Sequence, residues 1–493
     1  MGKIKTITID RFDGGEAFDP RDKNFSEYYH SKHFDNFSYK HKLKPHPELT
    51  QTTYEGGLTN QGIFRLISKE NVLWGIGQRA SDSKTSLFYW DASNGYWAVP
   101  EGTNVATTDN VSKDVFVLYK NYAYFFDLDA GYLQRSNLST FANDITEDYY
   151  DGFLGATTYL AQPVHFKIDD ILYFFVGSSV FGFNDGSWEE SGTALIAFPD
   201  NSYISCGCEY GDFLAVACNN INAKRSTIYF WDRDSSLTTV NRRFDFDGRY
   251  IYHIATLGGR LYAIMSDNVR ISIKVFNGAE FEEVTYLLAT RSSAGEPTNG
   301  IEKYNFNYDN KLYFPMDFEA PGESNDYNER LGIWSLNDIG RLSLEYIVGG
   351  ATSYKGMAVH KNDFYVAYNN SDVAKGGIAY STTTPSIYES LFIRGGGEEM
   401  YKTKKLLSVG VQTEALPASG QVVLKYRTSE NSAWTTIFTN TTDDSEYHDA
   451  VNIESTGATL PEFREIQFRL ESTGGAITTA INIKYEVKDD ELN

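Results

Sequence analysis

One pattern recurs too often along this chain to be ignored. A short aromatic and aliphatic run is followed, after a turn, by a second such run. The fullest instance is Ile171-Leu172-Tyr173-Phe174-Phe175-Val176, answered by Val180-Phe181-Gly182-Phe183-Asn184-Asp185-Gly186. Further instances are Phe213–Ala217 with Ile228–Asp232, Leu261–Met265 with Ile273–Gly278, Leu312–Met316 with Gly332–Leu336, and Phe364–Tyr368 with Gly377–Tyr380. Upstream, Val72–Ile76 with Leu87–Asp91 fits well, and Val115–Tyr119 with Ala123–Asp127 fits less well, giving seven copies. The spacing from Leu73 to Phe364 averages roughly 48 residues, inside the 40–50 residue periods of propeller blades and outside those of helical solenoids. Each copy reads as a pair of strands rich in β-branched and aromatic residues and closed by Asp, Asn or Gly. A strand pair cannot bury both its faces alone, so neighbouring copies must stack. The reading is an all-β chain with a seven-bladed β-propeller over residues 62–395. Six or eight blades remain alternatives because the second copy is degenerate, and an array of unrelated hairpins is the plainer one.

At 493 residues the chain exceeds the usual single-domain range. Tyr (35) and Phe (32) supply most of its aromatic content, and no long window keeps a helical period. The formal net charge is −22, with 44 basic against 66 acidic residues. Such a surface repels a phosphate backbone, which disfavours general nucleic-acid binding. Cys206, Cys208 and Cys218 do not have zinc spacing and read as small buried hydrophobes of a reducing compartment. The first residues lack the apolar core of a signal peptide and no window has the length of a membrane helix, so a chain made in a cytoplasm and not spanning a bilayer is expected.

Residues 1–61 differ from the repeats. A predicted strand, Ile4–Ile9, precedes a tract that mixes charge with Phe12, Tyr28, Tyr29, Phe34, Phe37 and Tyr39. Neither helix nor strand period holds there, yet the aromatics are too many for a solvated linker. An extended arm, disordered in the free chain and ordered on the propeller or on a neighbouring subunit, meets both facts, and these six aromatics are the candidate partner-binding residues. The tract also carries His30, His33, His41 and His46; Pro45 and Pro47 oppose a helical ligand set, so no metal site is expected. Gly395-Gly396-Gly397 marks a boundary, beyond which residues 396–493 alternate apolar with polar as in a small β-sandwich. The polar tract 317–326 should project from one rim.

No nucleophile elbow, phosphate-cradling loop or zinc motif is present, and no catalytic residue or cofactor is expected. Acidic clusters at Asp127-Leu128-Asp129, Asp169-Asp170, Asp232-Arg233-Asp234 and Asp245-Phe246-Asp247-Gly248 read first as turn formers, and none completes a calcium loop. Trp97 and Trp188 follow turns and could stack on sugars, although core Trp is commoner.

Several short segments resemble tail or neck structural proteins of tailed bacteriophages that carry a β-propeller. Ile9-Asp10-Arg11-Phe12-Asp13-Gly14-Gly15, Phe34-Asp35-Asn36-Phe37 and Leu43-Lys44-Pro45 are similar to their N-terminal arms. Val423–Arg427, Trp434–Ile437 and Ile466–Leu470 are similar to their terminal sandwich. The resemblance implies a non-enzymatic virion part, made in the host bacterial cytoplasm and set in several copies around the tail axis with other tail or neck proteins as partners. It carries over no functional residue. Two other classes stay open: a carbohydrate- or host-receptor-binding propeller, if Trp97, Trp188 or the 317–326 loop is exposed, and a glycan-degrading enzyme, if two carboxylates lie ~5–10 Å apart in a channel pocket.

Overall fold

The computed structural model describes residues 2–17, 21, 27–55, 62–78, 85–99, 111–127, 132–138, 160–184, 187–188, 194–199, 201–220, 222–234, 236, 239–266, 270–288, 306–316, 332–349, 351, 354–369, 372–377, 379–441, 451–452 and 461–488. Among these residues the chain is all-β and almost wholly antiparallel, with a short 3-10 turn at Gly397–Tyr401 and no helix long and apolar enough to cross a membrane. It divides into two compact units. The larger comprises 49–340 and 348–375, and the smaller comprises 1–48, 341–347 and 376–493.

The larger unit is a succession of antiparallel sheets in the arrangement of a β-propeller. Their second strands start at Val72, Tyr122, Ile171, Phe213, Arg260, Lys311 and Asp363, 42–52 residues apart. Each is preceded by a first strand: Gly62–Lys69, Val111–Tyr119, Leu160–Phe166, Tyr203–Tyr210, Tyr250–Leu257, Phe306–Tyr308 and Tyr354–His360. From the first sheet to the fifth, consecutive first strands touch. The fifth sheet's first strand then meets Lys311–Met316, Phe306–Tyr308 meets Tyr354–His360, and Tyr354–His360 returns to Gly62–Lys69.

The apolar cores lie between sheets rather than within them. Leu172, Phe174, Val176 and Phe183 share a cluster with Tyr119, Tyr124 and Leu133 of the preceding sheet. Their chain neighbours Tyr173 and Phe175 belong to another cluster, with Leu214, Val216 and Trp231 of the following sheet. The strand Ile171–Val176 is therefore covered on both faces, which is why its sequence is a continuous apolar run instead of an alternation. Comparable clusters join the first sheet to the second, the fourth to the fifth and the last to the first.

Two details differ from the sequence reading. In the second copy, Val115–Tyr119 falls in a first strand; the equivalent of the other copies' leading run is Tyr122–Asp127, answered by Tyr132–Asn137. That offset of one strand accounts for its poor fit. In the last copy the partner of Asp363–Tyr368 is Asp372–Gly376, not Gly377–Tyr380. A further strand comes from much earlier in the chain: Leu49–Gln51 extends the last sheet, with Thr52 N donating to Val373 O at 2.8 Å. The next residues, Thr53–Tyr54, pair in parallel with Tyr96–Ala98 of the first sheet. Residues 49–54 thus suture the last sheet to the first, as part of the larger unit and not of an arm.

The smaller unit is woven from distant segments. One sheet runs Lys3–Ile9, Thr478–Val487, Lys404–Thr413, Val451–Asn452, and the other Tyr28–Lys32, Ser386–Ser390, Gln467–Thr473, Gln421–Arg427, Thr435–Asn440. Seven residue pairs hold Lys3–Ile9 to Thr478–Val487, from Lys3 opposite Val487 to Ile9 opposite Ile481. A shared core takes Ile9, Phe12, Tyr28, Phe34, Tyr388, Leu406, Leu424, Phe468, Ile481 and Ile483. Residues 1–48 are thus part of this unit rather than a separate arm. Nor is Gly395-Gly396-Gly397 a boundary: Ser386–Ser390, upstream of it, is buried throughout and pairs with Gln467–Thr473. Gly395 (φ 81°) turns the chain where a Cβ would stand 3.2 Å from that of Glu399.

Candidate functional site

Two structural devices repeat around the larger unit. The first is the connection from first to second strand. All seven contain a left-handed residue: Glu70 and Asn71, Lys120, Asp170, Gly211, Gly258 and Gly259, Asp309 and Asn310, Lys361 and Asn362. Tight hairpin turns of the type that matches strand twist need positive φ, which Asn, Asp and Gly adopt at least cost. The second device is a register shift near the start of the first strand. It falls between Ile63 and Arg65, Val111 and Phe116, Ala161 and Val164, Ile204 and Cys206, Ile251 and His253, and Tyr354 and Gly356. A bulge sharpens local twist and re-aims side chains.

The bulges bring polar groups into an otherwise apolar layer. Arg65, His253 and Lys355 are all buried. Arg65 Nη1 donates to the Lys355 carbonyl, and Gly356 leaves the room for this approach, since a Cβ there would lie 2.8 Å from Arg65 Cα. Burial first, then the Arg65 charge, lowers the His253 pKa to about 3, so its imidazole is neutral. Nearby, buried Asn219 imitates a strand edge: its Nδ2 donates to Ile251 O at 2.9 Å and its Oδ1 accepts from Ile251 N at 3.0 Å. Sequence reasoning missed this layer. The signal was available as lone polar residues inside apolar runs, Ile63-Phe64-Arg65-Leu66 and Tyr252-His253-Ile254.

Asp169, Asp170, Asp232 and Asp234 lie in turns or loops, as read from the sequence, whereas Asp245 and Asp247 belong to the strand Arg242–Asp247 and face its partner strand Arg225–Trp231. Asp169 pairs with Arg233, whose guanidinium lies 3.8 Å from the centroid of the Phe166 ring. Asp170 accepts from His165 Nε2 at 2.8 Å and lies 3.4 Å from Lys120 Nζ. The His165 hydrogen bond and the Lys120 charge hold its carboxyl below the usual range. Asp245 receives Arg225 at 2.6 Å and Arg243 at 3.2 Å, and Asp247 lies 3.5 Å from Arg225. Asp232 is bound by Asn241 Nδ2 at 2.8 Å, and Asp234, hydrogen-bonded to Ser236, is also shifted down. A general acid needs the opposite shift. Asp129 lies outside the described residues.

Trp97, considered above for sugar stacking, is buried, with Nε1 donating to Thr52 Oγ1 at 3.0 Å and its ring packed edge-on to Trp90. The Trp188 side chain and the 317–326 tract lie outside the described residues. Among the predicted partner-binding aromatics, Phe12, Tyr28 and Phe34 have no exposed surface and sit in the core of their own unit. Tyr29 and Phe37 are half-buried, Tyr29 beneath the Arg427 guanidinium at 5.9 Å, so only Tyr39 of the six is exposed, with Lys44 4.8 Å from its ring centroid. The tract carries many aromatics because it is core in cis. His30 and His33 do not share a helix turn, since His30 lies in the strand Tyr28–Lys32 and His33 follows it at φ 63°. Among the described residues no group of three or more His, Cys, Asp or Glu is placed to hold a metal ion. Cys206 and Cys218 are buried, and burial raises the Cys208 and Cys218 thiols well above their ordinary value, which suits inert side chains.

No known family's profile matches the chain, and no curated protein matches it either. Among solved structures it is similar to the extracellular domain of the hybrid two-component system BT4673 from B. thetaiotaomicron, at 7% identity and a TM-score of 0.44 over 74% of this chain and 44% of that one. It is also similar to virginiamycin B lyase from Staphylococcus aureus, at 11% identity and a TM-score of 0.42 over 66% of this chain and 98% of that one. A third is the WD40 β-propeller domain of Doa1, at 12% identity and a TM-score of 0.43 over 68% and 97% of the two chains. The chain thus spans less than half the length of the first of these. At such identities and TM-scores, what these proteins bind or cleave does not transfer.

Proposed function

We propose that this chain is a non-enzymatic assembly part of a tailed-phage tail or neck, built as a seven-bladed propeller and a β-sandwich and repeated in several copies around the tail axis among other tail or neck proteins. What carries the non-enzymatic half of this reading is the employment of the acidic clusters. Asp169, Asp170, Asp232 and Asp245 are each bound by a cation or an amide, and the shifts at Asp170 and Asp234 run downward. Groups held in this way serve as structural fastenings, which supports the non-enzymatic reading. The blade count is supported by the seven second strands and by the contacts that return from Tyr354–His360 to Gly62–Lys69. The sandwich is supported by two five-stranded sheets sharing one core.

The virion assignment rests on the resemblance of the segments around Ile9–Gly15 and Val423–Arg427 to such proteins, and on an acidic surface unsuited to nucleic acid. The test is the particle. Mass spectrometry of purified virions from a phage encoding this chain should recover it in fixed stoichiometry with other tail proteins, and particles lacking it should be tailless or incomplete. Intact, infectious particles without the protein would end the assignment, and turnover of a polysaccharide by the purified chain would end the non-enzymatic reading.

A further inference from the structure

The strand Arg242-Arg243-Phe244-Asp245-Phe246-Asp247 has an order of charges that its place in the fold does not explain: bases in the first half, acids in the second. It is the outermost strand of the fourth sheet. One side pairs with Arg225–Trp231, and among the described residues no strand pairs with the other. The first and last sheets end instead in the short strands Thr53–Tyr54 and Leu49–Gln51.

The strand is held firmly from within. The Phe244 ring lies 5.7 Å from that of Phe230 and 5.2 Å from that of Phe276, and the Phe246 ring 5.5 Å from that of Phe281. Gly248 N donates to Lys224 O at 2.6 Å, and the register continues unbroken to Arg242 opposite Phe230. Antiparallel alternation then aims the backbone groups of Phe244 and Phe246 at Arg225–Trp231, and those of Arg243, Asp245 and Asp247 outward. Such an edge is a template for another strand.

We propose that Arg242–Asp247 is a contact between two copies of this chain, which join antiparallel along this edge, centred on Phe244, so that their fourth sheets become one.

The order of charges is what selects a second copy. A two-fold contact sets residue i against j and j against i. Centred on Phe244, it puts Arg243 opposite the partner's Asp245 twice over, and these are residues whose backbone groups face outward to exchange hydrogen bonds. Arg242 falls opposite the partner's Phe246, and Phe244 opposite itself. A slide of two residues would set Arg243 against Arg243 or Asp245 against Asp245, and a slide of one would put the aromatic rings on opposite faces. The outermost strand of the fifth sheet, Phe281–Leu288, has Glu282 and Glu283 and no base, so it lacks this self-complementarity. Within one copy Asp245 already lies 2.6 Å from Arg225 and 3.2 Å from Arg243, whose side chain is 59% exposed. The dimer shares these carboxylates rather than neutralising bare charge, so the contact is weak and salt-dependent. Because it closes at two copies, it is independent of a repeat around a tail axis, which needs head-to-tail contacts.

The test is sedimentation velocity of the full chain from about 1 to about 200 μM, which should show a monomer–dimer equilibrium in low salt that moves toward monomer at about 0.5 M salt. Arg243→Asp should weaken the dimer by about tenfold or more, and adding Asp245→Arg to it should recover most of the loss. Phe244→Cys should form a disulfide-linked dimer under mild oxidation, since only the residue on the two-fold axis meets its own copy; Asp247→Cys and the wild type, whose Cys206 and Cys218 are buried, should not. A chain that stays monomeric throughout, an association indifferent to Arg243→Asp, or equal cross-linking by Phe244→Cys and Asp247→Cys would overturn the contact. Should Phe244→Cys fail to fold, the comparison of wild type with Arg243→Asp decides alone.

Discussion

The two units are both antiparallel and both rich in Tyr and Phe, yet they are built by opposite rules. In the larger unit nearly every strand pairs with its immediate neighbour in the chain, and every sheet but the last, which takes in Leu49–Gln51, is complete within about 50 residues. In the smaller unit Lys3–Ile9 pairs with Thr478–Val487, and Tyr28–Lys32 pairs with Ser386–Ser390, so no short window of the sequence contains either of its five-stranded sheets. Local meanders repeat and announce themselves; non-local pairings cost loop-closure entropy and leave no periodic trace. The smaller unit should therefore be the one that depends on both ends of the chain at once.

The sharpest way to break this contrast is to damage the strand that receives both ends. Ile483→Asp places a charge in a fully buried position of Thr478–Val487, between Lys3–Ile9 and Lys404–Thr413. It should cost on the order of 5 kcal/mol and abolish the calorimetric transition of the smaller unit while the larger unit's transition stays within about 2 °C. Loss of both transitions would mean that the units are not separable in stability.

Trp231→Ala should cost about 3–5 kcal/mol, since the buried ring fills a cluster shared by two sheets and packs edge-on to Tyr173 at 6.0 Å. Because the cores lie between sheets, its urea midpoint should fall as one cooperative step for the whole larger unit. A separate early step would show that the sheets melt individually.

Gly77→Ala should cost about 1–3 kcal/mol, because the new Cβ would lie 2.2 Å from Gly62 O. Smaller again, Asn362→Ala should destabilise by about 1–2 kcal/mol at φ 69°, whereas Asn362→Gly should stay within about 0.5 kcal/mol. If Ala and Gly behave alike there, the turn is not what fixes the hairpin. The smallest effect belongs to the half-exposed pair Lys42 and Glu414, where Lys42→Ala should change the denaturation midpoint by less than about 1 kcal/mol.

Some errors of the sequence reading follow from the same contrast. Phe12, Tyr28 and Phe34 lie on a tract with no period, which suggested an arm awaiting a partner; their partners are Tyr388, Leu406 and Ile481, more than 350 residues away. Gly395-Gly396-Gly397 has the composition of a linker, yet the buried strand before it pairs with a strand after it. Arg65, His253 and Lys355 were passed over because a lone polar residue within a strand has no motif.

The sequence by itself determined the repeated strand pairs and their spacing, because burial on both faces writes a continuous apolar run and a tight hairpin writes Asn, Asp or Gly at its turn. Only the tertiary structure decided which distant segments close each sheet, from Leu49–Gln51 in the last propeller sheet to Lys3–Ile9 beside the C-terminal strand. Backbone hydrogen bonds between strands are blind to side-chain identity, so the choice of partner is made by the shape and burial of the assembled core.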